Sequence, residues 1–127
     1  LGAWSESHMK TVNYVMKGTN CMTEMYSALC AEVPIPGDST TQIDPALISR
    51  LNEADKVLIC GQAKSHCVNY SMRDLLNNWE GDPAALTLLE DCTTAVPGFE
   101  ADADRFVQDM VQGGCTITTL TAYTSSV

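Results

Sequence analysis

Residues Ile59 to Val68 read I-C-G-Q-A-K-S-H-C-V, and the reading of this stretch decides the fold. Immediately before it, Asp55 and Lys56 flank the short apolar run Val57-Leu58-Ile59-Cys60, the pattern of a buried parallel strand. Gly61 ends that run. Beyond it, Cys67, Val68, Tyr70, Ser71, Asp74, Leu75 and Trp79 recur at helical spacing, with Ser65 placed as N-cap and Asn77, Asn78 and Gly81 closing the far end. The unit predicted is strand, tight loop, helix. Cys67 then falls in the first helical turn, where unpaired main-chain N–H groups and the positive end of the helix dipole favour a thiolate and would hold an oxyanion. The same spacing also suits a plain α/β turn carrying one more small, inert cysteine, so both readings stand on these residues alone.

Working outward, Thr11 to Met16 (T-V-N-Y-V-M) is β-prone and predicts a strand running into Lys17-Gly18. A lysine at the carboxyl end of a strand is either a solvated cation or part of a site, because open α/β sheets gather their ligands there. Thr23 predicts the cap of a helix over Glu24 to Glu32, ended by Val33-Pro34-Ile35-Pro36-Gly37, and residues 3 to 10 predict a helical turn or two. Asp44-Pro45 opens a further helix whose buried face is Leu47, Ile48 and Leu51. On the other side, Leu86 to Leu89 predicts a strand. Phe99 to Gln112 predicts an amphipathic helix with Phe99, Ala103, Phe106, Val107, Met110 and Val111 inward, stopped by Gly113-Gly114. Thr116 to Leu120 predicts a last strand, with the tail fraying after Tyr123. Alternation of this kind implies an α/β fold, a parallel sheet with helices on both faces, in one domain over residues 1–127.

Composition narrows the function. Sixteen acidic residues against seven scattered basic ones give a net charge of −9, which excludes nucleic acid and anionic membranes as partners of choice. No apolar run approaches the roughly 20 residues of a membrane span, and Leu1 to Glu6 lacks the basic and apolar regions of a signal peptide, so the expected setting is cytoplasmic. The six cysteines form no C-x-x-C pair and have no histidine at ligand spacing, which argues against a structural zinc site and for reduced thiols. Neither Gly61 nor Gly113-Gly114 matches a phosphate-binding loop.

Taken together, three blocks resemble the isochorismatase-like cysteine hydrolases, in particular their nicotinamidase branch: V-M-K-G at Val15 to Gly18 followed by E-M-Y-S-A-L at Glu24 to Leu29; C-G-Q-A-K-S-H-C-V; and L-L-E-D-C-T-T-A-V-P-G-F at Leu88 to Phe99. The resemblance implies a three-layer α/β/α fold with Cys67 as nucleophile and Lys17 beside it. It also implies a cis peptide bond at Gln62-Ala63, an oxyanion hole from the Ala63 and Cys67 N–H groups, and Tyr26 lining the pocket. The implied reaction is hydrolysis of a small amide such as nicotinamide through a Cys67 thioester, with ammonia leaving and water releasing the acid. His66 is adjacent to Cys67, and neighbours on a helix point about 100° apart, which disfavours a Cys-His dyad.

The family's first strand carries an aspartate base and precedes a D-x-H metal motif, yet sixteen residues precede Lys17 here and none is aspartate. Glu6 and His8 do not reproduce the metal pattern. The expectation is therefore a carboxyl-terminal portion of such a hydrolase. No cofactor is expected in this chain, and the family's zinc or other divalent ion would be held through a segment missing here. The alternative is a non-catalytic module that associates with itself, or with a completing segment, through exposed strand edges.

Overall fold

The computed structural model describes residues 2–126, leaving Leu1 and Val127, the two ends of the expected domain, outside the described residues. In chain order the elements are helix α1 (Gly2–His8), α2 (Pro45–Asn52), strand β1 (Val57–Ile59), α3 (Cys67–Asn77), β2 (Leu86–Leu89), α4 (Glu100–Gln112), β3 (Thr116–Thr118) and α5 (Leu120–Thr124). Short 3-10 turns lie at Ser39–Thr41, Pro83–Ala85 and Glu90–Cys92.

The strands form one parallel sheet in the order β1-β2-β3, with Val57 opposite Leu86 and Thr87 opposite Thr116. Two successive crossovers between neighbouring strands place α3 and α4 side by side on the same face. Leu86 and Leu88 point into that face, where Val68, Met72, Leu75, Phe106 and Met110 meet them, and Val57, Ile59 and Ile117 pack at the margin. Arg73 joins the two helices, donating to Asn69 Oδ1 at 2.6 Å and to Asp109 Oδ2 at 2.7 Å. Thr87 and Leu89 face the other way and are also buried. On that side α5 begins with Leu120 N–H on Asp91 Oδ1 and sets the Tyr123 ring 5.4 Å from Lys56 Nζ, at the opposite edge of the sheet. Helices thus lie on both faces, the two long ones together.

Local chemistry explains where the expected elements form. Asp44 caps α2 by accepting from the Ala46 and Leu47 N–H groups, with Pro45 at the first helical position. Gly113 closes α4 and Gly114 takes a φ of +86°, a conformation open to glycine.

Five expectations need correction. Thr11 to Met16 forms no strand: it has no ladder partner, and a lone strand has nothing to satisfy its N–H and C=O groups except water. Glu24 to Glu32 forms no helix, because its main-chain groups are claimed from elsewhere. The Met25 and Tyr26 carbonyls accept from Lys17 Nζ, Ala28 N–H donates to Ser71 Oγ, Leu29 N–H donates to Ser27 Oγ, and Glu32 N–H returns to the Glu24 carbonyl. Ser65 does not cap α3; His66 occupies the cap position without a side-chain hydrogen bond. Phe99 and Val111 are exposed, the helical stripe being narrowed to Ala103, Phe106 and Met110 with Val107 packed partly buried beside them, and the tail past Thr119 coils into α5 instead of fraying at Tyr123.

Candidate active site

Cys67 is the first residue of α3, as its spacing predicts. The loop leading to it is held by the segment that follows β2. Gly61 N–H donates to the Cys92 carbonyl at 3.0 Å, Lys64 N–H to the Thr94 carbonyl at 2.8 Å, and Thr94 Oγ1 to Gln62 Oε1 at 2.9 Å. Ser65, 3% exposed, accepts from Val96 N–H at 3.0 Å and pairs with His66 Nδ1 at 2.8 Å. The Lys64 ammonium pairs with Glu90 at 3.3 Å. Two of the sequence blocks are therefore one structural unit: D-C-T-T-A-V supplies the carbonyls and the N–H that shape Q-A-K-S-H-C.

Within that loop the Gln62-Ala63 peptide bond is cis, at the expected position. The Ala63 carbonyl accepts from both His66 and Val68 N–H, folding the chain back on itself into the helix. Among the described residues, the Ala63 and Cys67 N–H groups donate to no acceptor.

Lys17 comes to Cys67 from fifty positions away. Its Nζ donates to the Met25 and Tyr26 carbonyls, each at 2.7 Å, and stands 3.5 Å from Cys67 Sγ. Three N–H bonds radiate from an ammonium, so the two carbonyls fix its direction and leave the third for the sulfur. Chemically, this is a cation held against a sulfur in the first turn of a helix.

Both residues line an open cleft of about 310 Å³, with Ala28, Ile59, Cys60, Gln62, Val68 and Ser71 completing the wall. Tyr26 joins the site through its main-chain carbonyl. Its ring is not part of that wall: it packs 5.4 Å from both the His66 and Tyr70 rings, and His66 in turn meets Phe99 edge-on at 4.8 Å. The imidazole is thus engaged with Ser65 and aromatic neighbours and forms no pair with Cys67. Sequence reasoning missed Ser71, Thr94 and the Met25 carbonyl. Thr94 stood within a quoted block without a role; main-chain ligands such as Met25 O leave no mark on side-chain identity.

No three His, Cys, Asp or Glu side chains converge among the described residues in a way that would hold a metal ion. The residues present do not fit the divalent ion of the resembled family. No helix among the described residues is long and apolar enough to cross a membrane.

The parallel α/β fold is the isochorismatase-like one seen in solved structures of pyrazinamidases and nicotinamidases. Among solved structures, the chain is similar to the pyrazinamidase of Pyrococcus horikoshii in complex with zinc, at 27% identity and a TM-score of 0.57, over 84% of this chain and 50% of that one. It is also similar in fold to PnC1 from L. infantum in complex with nicotinate (24%, TM-score 0.65, 85% of this chain and 48% of that one) and to the yeast nicotinamidase Pnc1p (16%, 0.63, 92% and 49%). The chain spans about half the length of these structures. Comparison with protein-family models gives no match, and neither does comparison with curated proteins.

Proposed function

We propose that this chain carries the nucleophile half of a nicotinamidase-like amidohydrolase acting on a small carboxamide. The observation that carries the reading is the Lys17 Nζ contact with Cys67 Sγ at 3.5 Å, made across fifty residues by a lysine that two carbonyls aim. Cys67 attacks the amide carbon, and the carbonyl oxygen takes up negative charge beside the free Ala63 and Cys67 N–H groups. Collapse of that intermediate breaks the C–N bond as the nitrogen takes up the proton given up by the thiol, so that ammonia leaves, and water then cleaves the thioester to the carboxylic acid and the free thiol. Lys17 steadies the charge on sulfur while it is the nucleophile and again while it leaves. The cleft wall contains no carboxylate among the described residues. The nicotinate and pyrazinamidase neighbours support a flat heteroaromatic carboxamide as substrate.

Ammonia release from nicotinamide and pyrazinamide by the full natural polypeptide tests this. Activity that is lost in Cys67→Ala, with an acyl mass trapped on Cys67 after acid quench, is the expected result. A folded protein with an intact Cys67 that hydrolyses neither amide and traps no acyl group sinks it.

A second reading rests on β1. Among the described residues its outer edge has no ladder partner, and Leu58 on the strand is 41% exposed. A homo-oligomer or a completing segment using that edge fits the geometry of strand addition. Sedimentation as a concentration-dependent assembly that Leu58→Lys disperses would favour it; a strict monomer would refute self-association. We assign the protein to the cytoplasm on its six free cysteines, which thiol mapping in cell extracts would check.

A further inference from the structure

Outside the Lys17–Cys67 pair, the molecule places two more thiols together. Cys60 is the residue after β1 and Cys92 ends the turn after β2, each beyond the carboxyl end of one of two adjacent parallel strands. Gly61 N–H donates to the Cys92 carbonyl at 3.0 Å. That bond lies beyond the ladder, which ends at Ile59 opposite Leu88, but the covalent geometry on either side of it keeps the Cys60 and Cys92 Cα atoms within roughly 8 Å, a span that includes the roughly 4.4–6.8 Å a disulfide needs.

The side chains also share a face. Val57 and Ile59 point toward α3, so alternation turns Leu58 and Cys60 to the opposite side. Asp91 holds the start of α5 on that same side, and its Oδ1 lies 3.7 Å from Cys92 Sγ. Cys60 is exposed and Cys92 partly so, while Cys115 is buried, which leaves the first two open to an oxidant.

We propose that Cys60 and Cys92 form a disulfide when the protein meets a peroxide, locking the start of the nucleophile loop onto the turn after β2. The exposed Cys60 sulfur attacks the peroxide: an S–O bond forms, the O–O bond breaks, and water leaves after protonation. Cys92 sulfur then attacks the sulfenic sulfur, forming S–S and releasing a second water. Two thiols and one hydrogen peroxide thus become one disulfide and two waters. Partial burial, with the Asp91 carboxylate beside it, raises the Cys92 thiol above its ordinary range, which fits Cys92 as the resolving partner. The link would close the chain over Gln62-Ala63 and tie β1 to β2 covalently.

The test is treatment of the folded protein with hydrogen peroxide at about one equivalent, alkylation of the remaining thiols, and non-reducing peptide mapping. A peptide pair joined through Cys60 and Cys92 is expected, present equally in Cys67→Ser and absent in Cys60→Ser. The oxidised protein is expected to melt several degrees higher and to return to its original melting point with dithiothreitol. Pairing of Cys60 with Cys67, or sulfinic acid at Cys60 with Cys92 still free, overturns the proposal. Because the wild-type map alone decides between these outcomes, a variant that fails to fold does not blunt the test. A wild-type Cys60–Cys92 link is independent of amide hydrolysis, so either proposal can fail while the other stands.

Discussion

Replacing Ser65 with alanine is expected to weaken the protein chiefly through the bond its hydroxyl accepts from Val96, the bond to His66 Nδ1 at 2.8 Å being lost with it. Ser65 Oγ is the acceptor for Val96 N–H at 3.0 Å, and the serine is 3% exposed. Alanine fits the space but leaves that N–H without a partner, and an orphaned donor costs about 1–3 kcal/mol. Val96 is 37% exposed, so water reaches part of the group and the lower half of the range applies, about 1–2 kcal/mol. For a chain of 127 residues this converts to a fall in melting temperature of roughly 4–7 °C. Thr94→Val removes a bond of nearly the same length, 2.9 Å from Thr94 Oγ1 to Gln62 Oε1, but an exposed one, and is expected to cost less than about 0.5 kcal/mol. Thermal and urea unfolding of both variants would read the difference, and Cys67 alkylation should speed up in Ser65→Ala as the start of α3 loosens. Equal losses in the two variants, or a melting point of Ser65→Ala unchanged, would refute the claim that burial of this one acceptor holds the loop.

Phe106→Ala empties a fully buried site between the sheet and α3, with an expected loss of about 3–5 kcal/mol in urea unfolding. Burial raises the Cys115 thiol, and burial aided by the Asp74 carboxylate raises that of Cys30. At neutral pH these two should label with iodoacetamide more slowly than exposed Cys21, as peptide mass mapping would record. The Cys115 shift also sets a pH dependence. The folded state keeps this proton where the unfolded chain releases it, so stability is full below the ordinary thiol value of 9.0 and falls as pH rises above it, an effect that Cys115→Ala should flatten in unfolding curves against pH. Asp38 acts with the opposite sign: hydrogen bonds from Thr40 and Asn20 lower its carboxyl, so its contribution is present above the ordinary carboxylate range and is lost as pH falls through the lowered value. Chemical shifts of Thr40 and Asn20 followed from pH 6 to pH 2 would locate that loss, and Asp38→Asn should abolish it.

The elements that sequence reasoning placed are those whose reasons are local. Asp44-Pro45 carries its own cap and its own proline, the apolar run into Gly61 carries its own stop, and Gly113-Gly114 ends α4 by conformation alone. What was illegible depends on partners distant in sequence. Thr11 to Met16 has strand-forming side chains, yet a strand is defined by its neighbour. Glu24 to Glu32 has helix-compatible residues, yet Lys17 and Ser71 take up the groups a helix would use. The site divides in the same way: Cys67 was marked by helical spacing and Lys17 by resemblance, whereas the carbonyls that aim Lys17 are side-chain-blind. Phe99 and Val111 show a further limit, since hydrophobic periodicity identifies a stripe but not how far the neighbouring helix covers it.

The clamp between the nucleophile loop and residues 92–96 has a consequence for synthesis. Gly61, Lys64 and Ser65 each bond to main-chain groups of Cys92, Thr94 and Val96, made later than Cys67 itself. A ribosome adding about 5–20 residues per second takes seconds to reach them. During that interval α3 can coil, but the turn that presents the thiol has no template, and Cys67 emerges as an ordinary cysteine on a flexible stretch. The site is therefore born in one step, when β2 pairs with β1 and the residues behind it close over the loop.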